Sequence, residues 1–391
     1  MKRFLSILAP LLLVLCLNLP AASPENPFGI SPDLDRKIQA GLHELYGLRF
    51  ERADNIFSDI DDQSMEHPMV AFGHASVYWW KLSVNVLEVD PQESRPFLKS
   101  VRECIRASKE KIRRGDTTGE GYLTLGGAYG MLGRWEATNR HWLAAYFDGR
   151  DAQKALGKAL KINPNMTDAF LGQGIFDYYV ATLPSVVRSL AFLGGHNNKE
   201  AGLDELRQAA EKGIYSRTPA RLFLADILAN QENRVDEAFK IFAELRQEFP
   251  QSPFVQTMEV TAEYNHDLMD DLRKEVASFQ QRVADHTYGP QFECQGNFMA
   301  ALIPFKLKDW PQAEGAFQKA IDSGAPRDPF YTWACLYKGY ALDAEGRRAE
   351  AVEQYRSVLH QMRRWASYDH AKARLHKPFG PDDIEIKTLK L

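Results

Sequence analysis

Apolar residues return along most of this chain at spacings of three and four. The recurring signature is a small residue, a large one four positions later, and a medium one three after that. Ala53, Phe57 and Ile60 carry it, as do Ala152, Leu156 and Ala159; Gly202, Leu206 and Ala209; and Ala238, Phe242 and Leu245. Ala313, Phe317 and Ala320 repeat it, followed by Ala351, Tyr355 and Val358. These spacings place all three side chains on one face of an α-helix. The small residue admits a neighbouring helix, and the bulky one fills the groove between the two. A second apolar segment precedes several triplets: "GYLTLGGAYG" holds Tyr122, Leu125, Gly126 and Tyr129, and "WACLYKGYAL" holds Cys335, Gly339 and Leu342. Pro164 and Pro250 close two of the units. The pattern predicts an all-α chain of helix–turn–helix units stacked side by side as an α-solenoid, some of them degenerate.

Three departures from the simple repeat carry further expectations. Triplets start at 202, 238, 313 and 351, so one interval is double the others. The degenerate unit inside it is "DLRKEVASFQQRV", with Leu272, Val276, Phe279 and Val283. In a simple unit the triplet starts twelve residues after the glycine, whereas Gly126 and Ala152 are 26 apart. The excess is close to four helical turns, and Thr138, Trp142 and Ala145 again read small, large, small. One long helix from about 134 to 162, softened at Gly149, is expected there. An apolar insertion of about 180–197 then separates Gly172 from the triplet at Gly202. Pro184 suits the first turn of a short helix, and Val186, Val187, Leu190, Phe192 and Leu193 cover more than one stripe of it. Such a helix is a packed lid, a groove border or a membrane contact. It is too short to span a bilayer.

From about Pro32 to Tyr368 these positions resemble the tetratricopeptide repeat, a helical hairpin of about 34 residues. A narrower resemblance, to the tetratricopeptide repeat protein 39 family and the related inclusion-body clearance proteins, rests on Leu190–Leu193, Gly194–Gly195, Lys199 and Gly202–Leu203. It extends to "RLFLADIL" and "FPQSP". The resemblance implies no catalytic activity. It also implies a concave binding face built from the first helix of each unit. Carried over unit by unit, that face holds Gln173 and Phe176, Leu222 and Asp226, Phe298, Leu302 and Phe305, then Trp333, Tyr340 and Asp343. Aromatic anchors among a few polar groups suit peptide recognition; core packing is the alternative for Phe298 and Trp333.

The termini and composition change this picture in a few places. Lys2 and Arg3, an apolar run from Phe4 to Leu19, then Ala21, Ala22 and Ser23 form a signal-peptide layout over 1–22. Export to the periplasm or cell envelope is therefore expected, which fits a bacterial-type relative better than the cytosolic or organelle-linked members of the narrower family. The solenoid is expected over 31–368 and a loosely packed tail over 369–391. Net charge is −4, which gives no reason to expect a nucleic-acid partner. No HExxH, GxSxG, Walker loop or CxxCH motif occurs, so no enzyme, cofactor or metal is expected. Beyond the leader, Cys104, Cys294 and Cys335 read as buried small hydrophobes, with one bridge plus a free thiol as the alternative. Arg102, Arg106, Lys109, Arg113 and Arg114 lie along one helix as a solvated face or an acidic-partner strip. The expected function is a non-catalytic scaffold that binds another protein or peptide through its concave face. The alternative is a membrane-surface accessory protein using the apolar insertion and this basic helix.

Overall fold

The computed structural model describes residues 26–64, 67–83, 94–182, 198–326, 328–361 and 366–389. Among them lie seventeen α-helices and no strand. They form eight hairpins: α1 (Pro32–Tyr46) with α2 (Phe50–Ser64), α3 (Pro68–Ser83) with α4 (Ser94–Arg113), α5 (Glu120–Thr138) with α6 (Trp142–Ile162), and α7 (Ala169–Thr182) with α8 (Lys199–Lys212). The others are α9 (Arg217–Asn230) with α10 (Val235–Glu248), α11 (Pro253–Asn265) with α12 (Met269–Ala284), α13 (Glu293–Lys306) with α14 (Trp310–Ser323), and α15 (Pro329–Ala344) with α16 (Arg348–Leu359). A last helix, α17 (Ala366–His376), closes the array.

The six triplets stand on the second helices α2, α6, α8, α10, α14 and α16, and their residues are buried. The expected degenerate unit is α12, which buries Leu272, Val276 and Phe279. Glycines on the first helices take the bulky residues of the triplets. A Cβ on Gly73 would sit 2.3 Å from the Phe57 ring, and one on Gly339 would sit 2.4 Å from the Tyr355 ring. Every described turn between the two helices of a hairpin contains one left-handed residue: Leu48, Arg140, Asn233, Asp267, Lys308 or Gly346. A single αL residue reverses the chain in a few positions, so each second helix returns tightly along the first.

Successive first helices also touch one another: α1 and α3, α3 and α5, α5 and α7, α7 and α9, α9 and α11, α13 and α15. They therefore occupy the shorter, inner arc. The solenoid is wound tightly enough for distant hairpins to meet. Tyr215 donates its hydroxyl hydrogen to Asp35 at 2.6 Å. The Tyr46 ring packs edge-on to Phe249, and Trp80 to Phe254 at 5.3 Å between centroids. Arg140 forms an ion pair with Asp369 on α17.

Three expectations meet a different outcome. The single helix over 134–162 is two helices that reverse at Asn139–His141. Arg140 has φ +63° there, and the Asn139 side chain and backbone N–H both cap the Trp135 carbonyl. The extra fourteen residues thus lengthen both arms of one hairpin. Gly149 softens nothing: a Cβ on the facing Gly133 would lie 3.3 Å from the Gly149 nitrogen, so the pair sets the close approach of α5 and α6. Trp142 opens α6 as an exposed residue, 68% accessible, and fills no groove. The expected loose tail is packed as well, with Phe379, Ile386 and Leu389 all buried. Its few apolar residues carry no helical period. Each instead drops into the array separately. Cys104, Cys294 and Cys335 are free and buried, as their reading as small hydrophobes expects, and the alternative of one bridge is not realised. The apolar stretch with Val186, Val187, Leu190, Phe192 and Leu193 lies outside the described residues, as does the leader.

Candidate binding surface

The inner arc has two parts with different surfaces. On the late hairpins, the carried-over residues are core. Phe298, Leu302, Phe305, Trp333 and Tyr340 are almost wholly enclosed, and Leu222 on α9 is buried too. Phe298 and Phe305 lie against Phe317 and Tyr337. Asp343 is enclosed as well: it pairs with Arg348 at 2.9 Å and accepts from the Tyr355 hydroxyl at 2.8 Å. These positions fail as a groove because α13 and α15 are covered on three sides. Their hairpin partners take one, the neighbouring hairpin another, and the C-terminal segment takes the inner side.

That segment runs back across the C-terminal ends of α15, α13 and α11. The Phe379 ring stacks on Tyr340 at 4.5 Å with 14° between planes, and its N–H donates to Asp343 at 2.9 Å. The Tyr264 hydroxyl donates to the Ile386 carbonyl at 3.0 Å, and the Lys306 ammonium to the Lys387 carbonyl at 3.3 Å. Asn265 accepts the Leu389 N–H at 2.6 Å and donates to the Leu389 carbonyl at 3.3 Å. Arg374 on α17 holds Asp383 at 2.6 Å and Glu385 at 2.7 Å. Burial would raise the Glu385 carboxyl, but bonds from His370 and Arg374 hold it down to about 2.

On the earlier hairpins no C-terminal segment lies over the inner arc among the described residues, and one arginine stands at its centre. Arg134 on α5 has its guanidinium 4.9 Å from the Phe223 ring on α9 and 5.8 Å from the Trp79 ring on α3. Tyr179 on α7 and Asp226 on α9 complete the surround. Protein crowds Arg134 on every side, which disfavours its charge, yet its side chain reaches water. Among the described residues its guanidinium has no hydrogen-bond or ion-pair partner. The Asp226 carboxyl is raised by burial, against the pull of Asn230 and Arg134. Arg134 and Asp226 are therefore neighbours rather than a closed pair. A polar line joins the two parts of the arc: Asp226 accepts from Asn230, Asn230 accepts from Asn265, and Asn265 grips Leu389.

Of the residues expected in the groove, Asp226 faces this hollow. Gln173 and Phe176 are half-buried, with the Phe176 ring against Gly149 between the third and fourth hairpins. Trp79, Arg134, Tyr179 and Phe223 were not among the expected residues. A usable signal is their distance from the turn: Trp79, Arg134, Asp226 and Tyr340 each stand four residues before their inner helix ends, and Tyr179 three. Counting from the triplet glycine drifts off the inner face wherever a hairpin changes length.

One other cluster has the composition of a reactive site. His67 Nδ1 lies 3.2 Å from Glu120 Oε1 at the edge of a cleft of about 550 Å³, and Lys111 pairs with the same carboxylate. Glu120 is fully buried. Burial pushes its carboxyl up while Lys111 draws it down. Burial and Lys111 push His67 down to about 4, so the imidazole is neutral near pH 7. No hydroxyl or thiol among the described residues bonds His67, and the nearby Thr118 hydroxyl donates to Asp116. An acid–base pair without a nucleophile is best read as an electrostatic strut joining α3, α4 and α5. No group of three or more His, Cys, Asp or Glu among the described residues is arranged to hold a metal ion.

Stacked hairpins with a continuous inner arc define a helical-repeat solenoid. Residues 193–253 match the family model of the tetratricopeptide repeat. The matched segment is thus similar to the tetratricopeptide repeat, and the hairpins on either side of it repeat the same helix–turn–helix layout. No curated protein matches it, so the likeness to the tetratricopeptide repeat protein 39 family remains a resemblance. Tetratricopeptide repeats commonly mediate protein–protein interaction, and their fold is typically a scaffold rather than a catalyst.

Proposed function

We propose that this chain is a non-catalytic scaffold of the cell envelope that binds a protein or peptide along the inner arc of α3, α5, α7 and α9. The observation that carries the reading is Arg134: an exposed arginine whose guanidinium lies close to two aromatic rings, with its N–H donors unspent on any described residue. Such a group offers a fork for a carboxylate or main-chain carbonyl, and Trp79 and Phe223 supply apolar anchors beside it. Photo-crosslinking from envelope extracts tests the surface with an Arg134→Glu, Phe223→Ala double variant. Loss of the captured partner with unchanged circular dichroism supports it; retention of every partner removes the hollow from consideration. The envelope placement rests on the leader. Mass spectrometry of the periplasmic fraction should find a chain lacking roughly its first 22 residues; a full-length cytosolic chain ends that part of the reading.

A second reading has its own observation. On α4, Arg95, Lys99, Arg102 and Arg106 line a shallow cleft of about 430 Å³ with one acid, Glu103. That basic face suits peripheral contact with an anionic membrane surface. Among the described residues no helix is long and apolar enough to cross a membrane. Flotation with phosphatidylserine vesicles should fall sharply in an Arg102→Glu, Arg106→Glu variant; equal flotation removes this reading.

A further inference from the structure

The C-terminal segment lies on the late inner arc as a bound peptide would. Its grip combines two kinds of contact. Main-chain groups are held by side chains of the array: Leu389 by Asn265, Ile386 by Tyr264, Lys387 by Lys306, and Phe379 by Asp343. Three side chains, Phe379, Ile386 and Leu389, enter the array, seven and three residues apart. Between them Asp382 and Ile384 are exposed. Two acids, Asp383 and Glu385, meet Arg374. The segment is joined to the array only through α17, and its only regular element is a 3-10 turn at Ile384–Ile386. Main-chain bonds are indifferent to sequence, while pockets for spaced side chains select it.

We propose that the face beneath residues 377–389 is a second peptide-binding surface, whose resident ligand is the chain's own C-terminal segment and is exchangeable. The partner it fits is a segment with an aromatic residue, aliphatic residues seven and ten positions later, and acids between them. Uncovered, the face presents Tyr340 and Phe305 as an aromatic floor, with Asp343, Lys306, Tyr264 and Asn265 along its rim. A tether this short gives the resident segment an effective concentration on the order of millimolar. A free peptide therefore binds only when it grips better or when the resident is weakened. This surface is separate from the Arg134 hollow, and capture through Arg134 neither supports nor removes it.

The test uses the full chain and a fluorescein-labelled peptide of residues 377–391, read by anisotropy. A Phe379→Ala, Leu389→Ala variant should bind the peptide at least ~100-fold more tightly than the wild-type chain. Adding Asn265→Ala should abolish that gain. A folded double variant that takes no peptide overturns the proposal. Hydrogen exchange on the wild-type chain keeps the question open to refutation should the variant not fold. The amides of Phe379 and Leu389 should exchange at least ~100-fold faster than those in the middle of α13 and α15. Exchange at the same rate makes the segment a fixed part of the core and overturns the idea. A concentration-dependent dimer with exchanged segments would make a second copy the occupant and overturn the stated partner.

Discussion

Tyr340 and Arg134 hold the same place in their hairpins, four residues before the inner helix ends. Tyr340 is wholly enclosed beneath Phe379, whereas Arg134 is an exposed residue whose guanidinium lies between Trp79 and Phe223. The repeat therefore specifies a position without specifying its use. An inner-face residue becomes core where the chain folds back over it and remains surface where it does not. At this position α13 and α15 carry the buried Leu302 and Tyr340, whereas α5 carries a cation and α9 a carboxylate.

The largest test of that contrast is Phe305→Ala on α13. The ring is wholly buried against Tyr337, Trp310 and Phe379. Its loss should cost about 3–5 kcal/mol, read as a lowered denaturant midpoint. A cost under about 1 kcal/mol would mean that the covered half is not a true core.

The next largest effect concerns Glu263 on α11. It is almost fully enclosed, and one of its carboxylate oxygens lacks a partner among the described residues. Burial, then the nearby Glu259, Glu275 and Asp271, push its carboxyl up to about 9. The folded chain thus holds this proton more tightly than the unfolded chain, whose value is the ordinary 4.5. The associated stability is complete below pH 4.5 and is lost as pH rises toward about 9. Between pH 6 and 8 the wild type should lose up to about 2–3 kcal/mol that Glu263→Gln keeps, read from melting curves at the two values. Parallel losses in both proteins would place the titrating group elsewhere.

Smaller still is Lys308→Gly at the α13–α14 turn, where φ is +61°. Relief of a left-handed L-residue should raise stability by up to about 1 kcal/mol in thermal denaturation. The smallest effect belongs to Arg134→Ala, which should stay within about 0.5 kcal/mol, as expected of a surface group. A loss comparable to that of Phe305→Ala would erase the distinction between the two halves.

The fold could be read largely from the chain because the small-then-large triplets describe helix contacts directly. Even the weak unit at Leu272, Val276 and Phe279 proved to be a helix with that face buried. The reversal at Arg140 could not be read, because five of the six described left-handed turn residues are not glycine. Nothing in an arginine or a leucine announces that conformation; the packing of two returning helices imposes it. Of the residues expected in a groove, Asp226 faces the Arg134 hollow. Whether Phe298 or Tyr340 faces a groove depends on where residues 377–389 settle, and that is decided by contacts more than a hundred residues apart, such as Tyr264 with Ile386. Arg134 escaped for the related reason that its neighbours come from three other hairpins.

The contacts of Tyr46 with Phe249 and Trp80 with Phe254 have a consequence for folding. A row of repeats that touches only its neighbours can fray from either end, one unit at a time. Here the first two hairpins are bolted to the fifth and sixth, so neither end of that stretch can melt without dragging the other. Heat should meet this part of the molecule as one cooperative block, its failure a single sharp event rather than a slow unzipping.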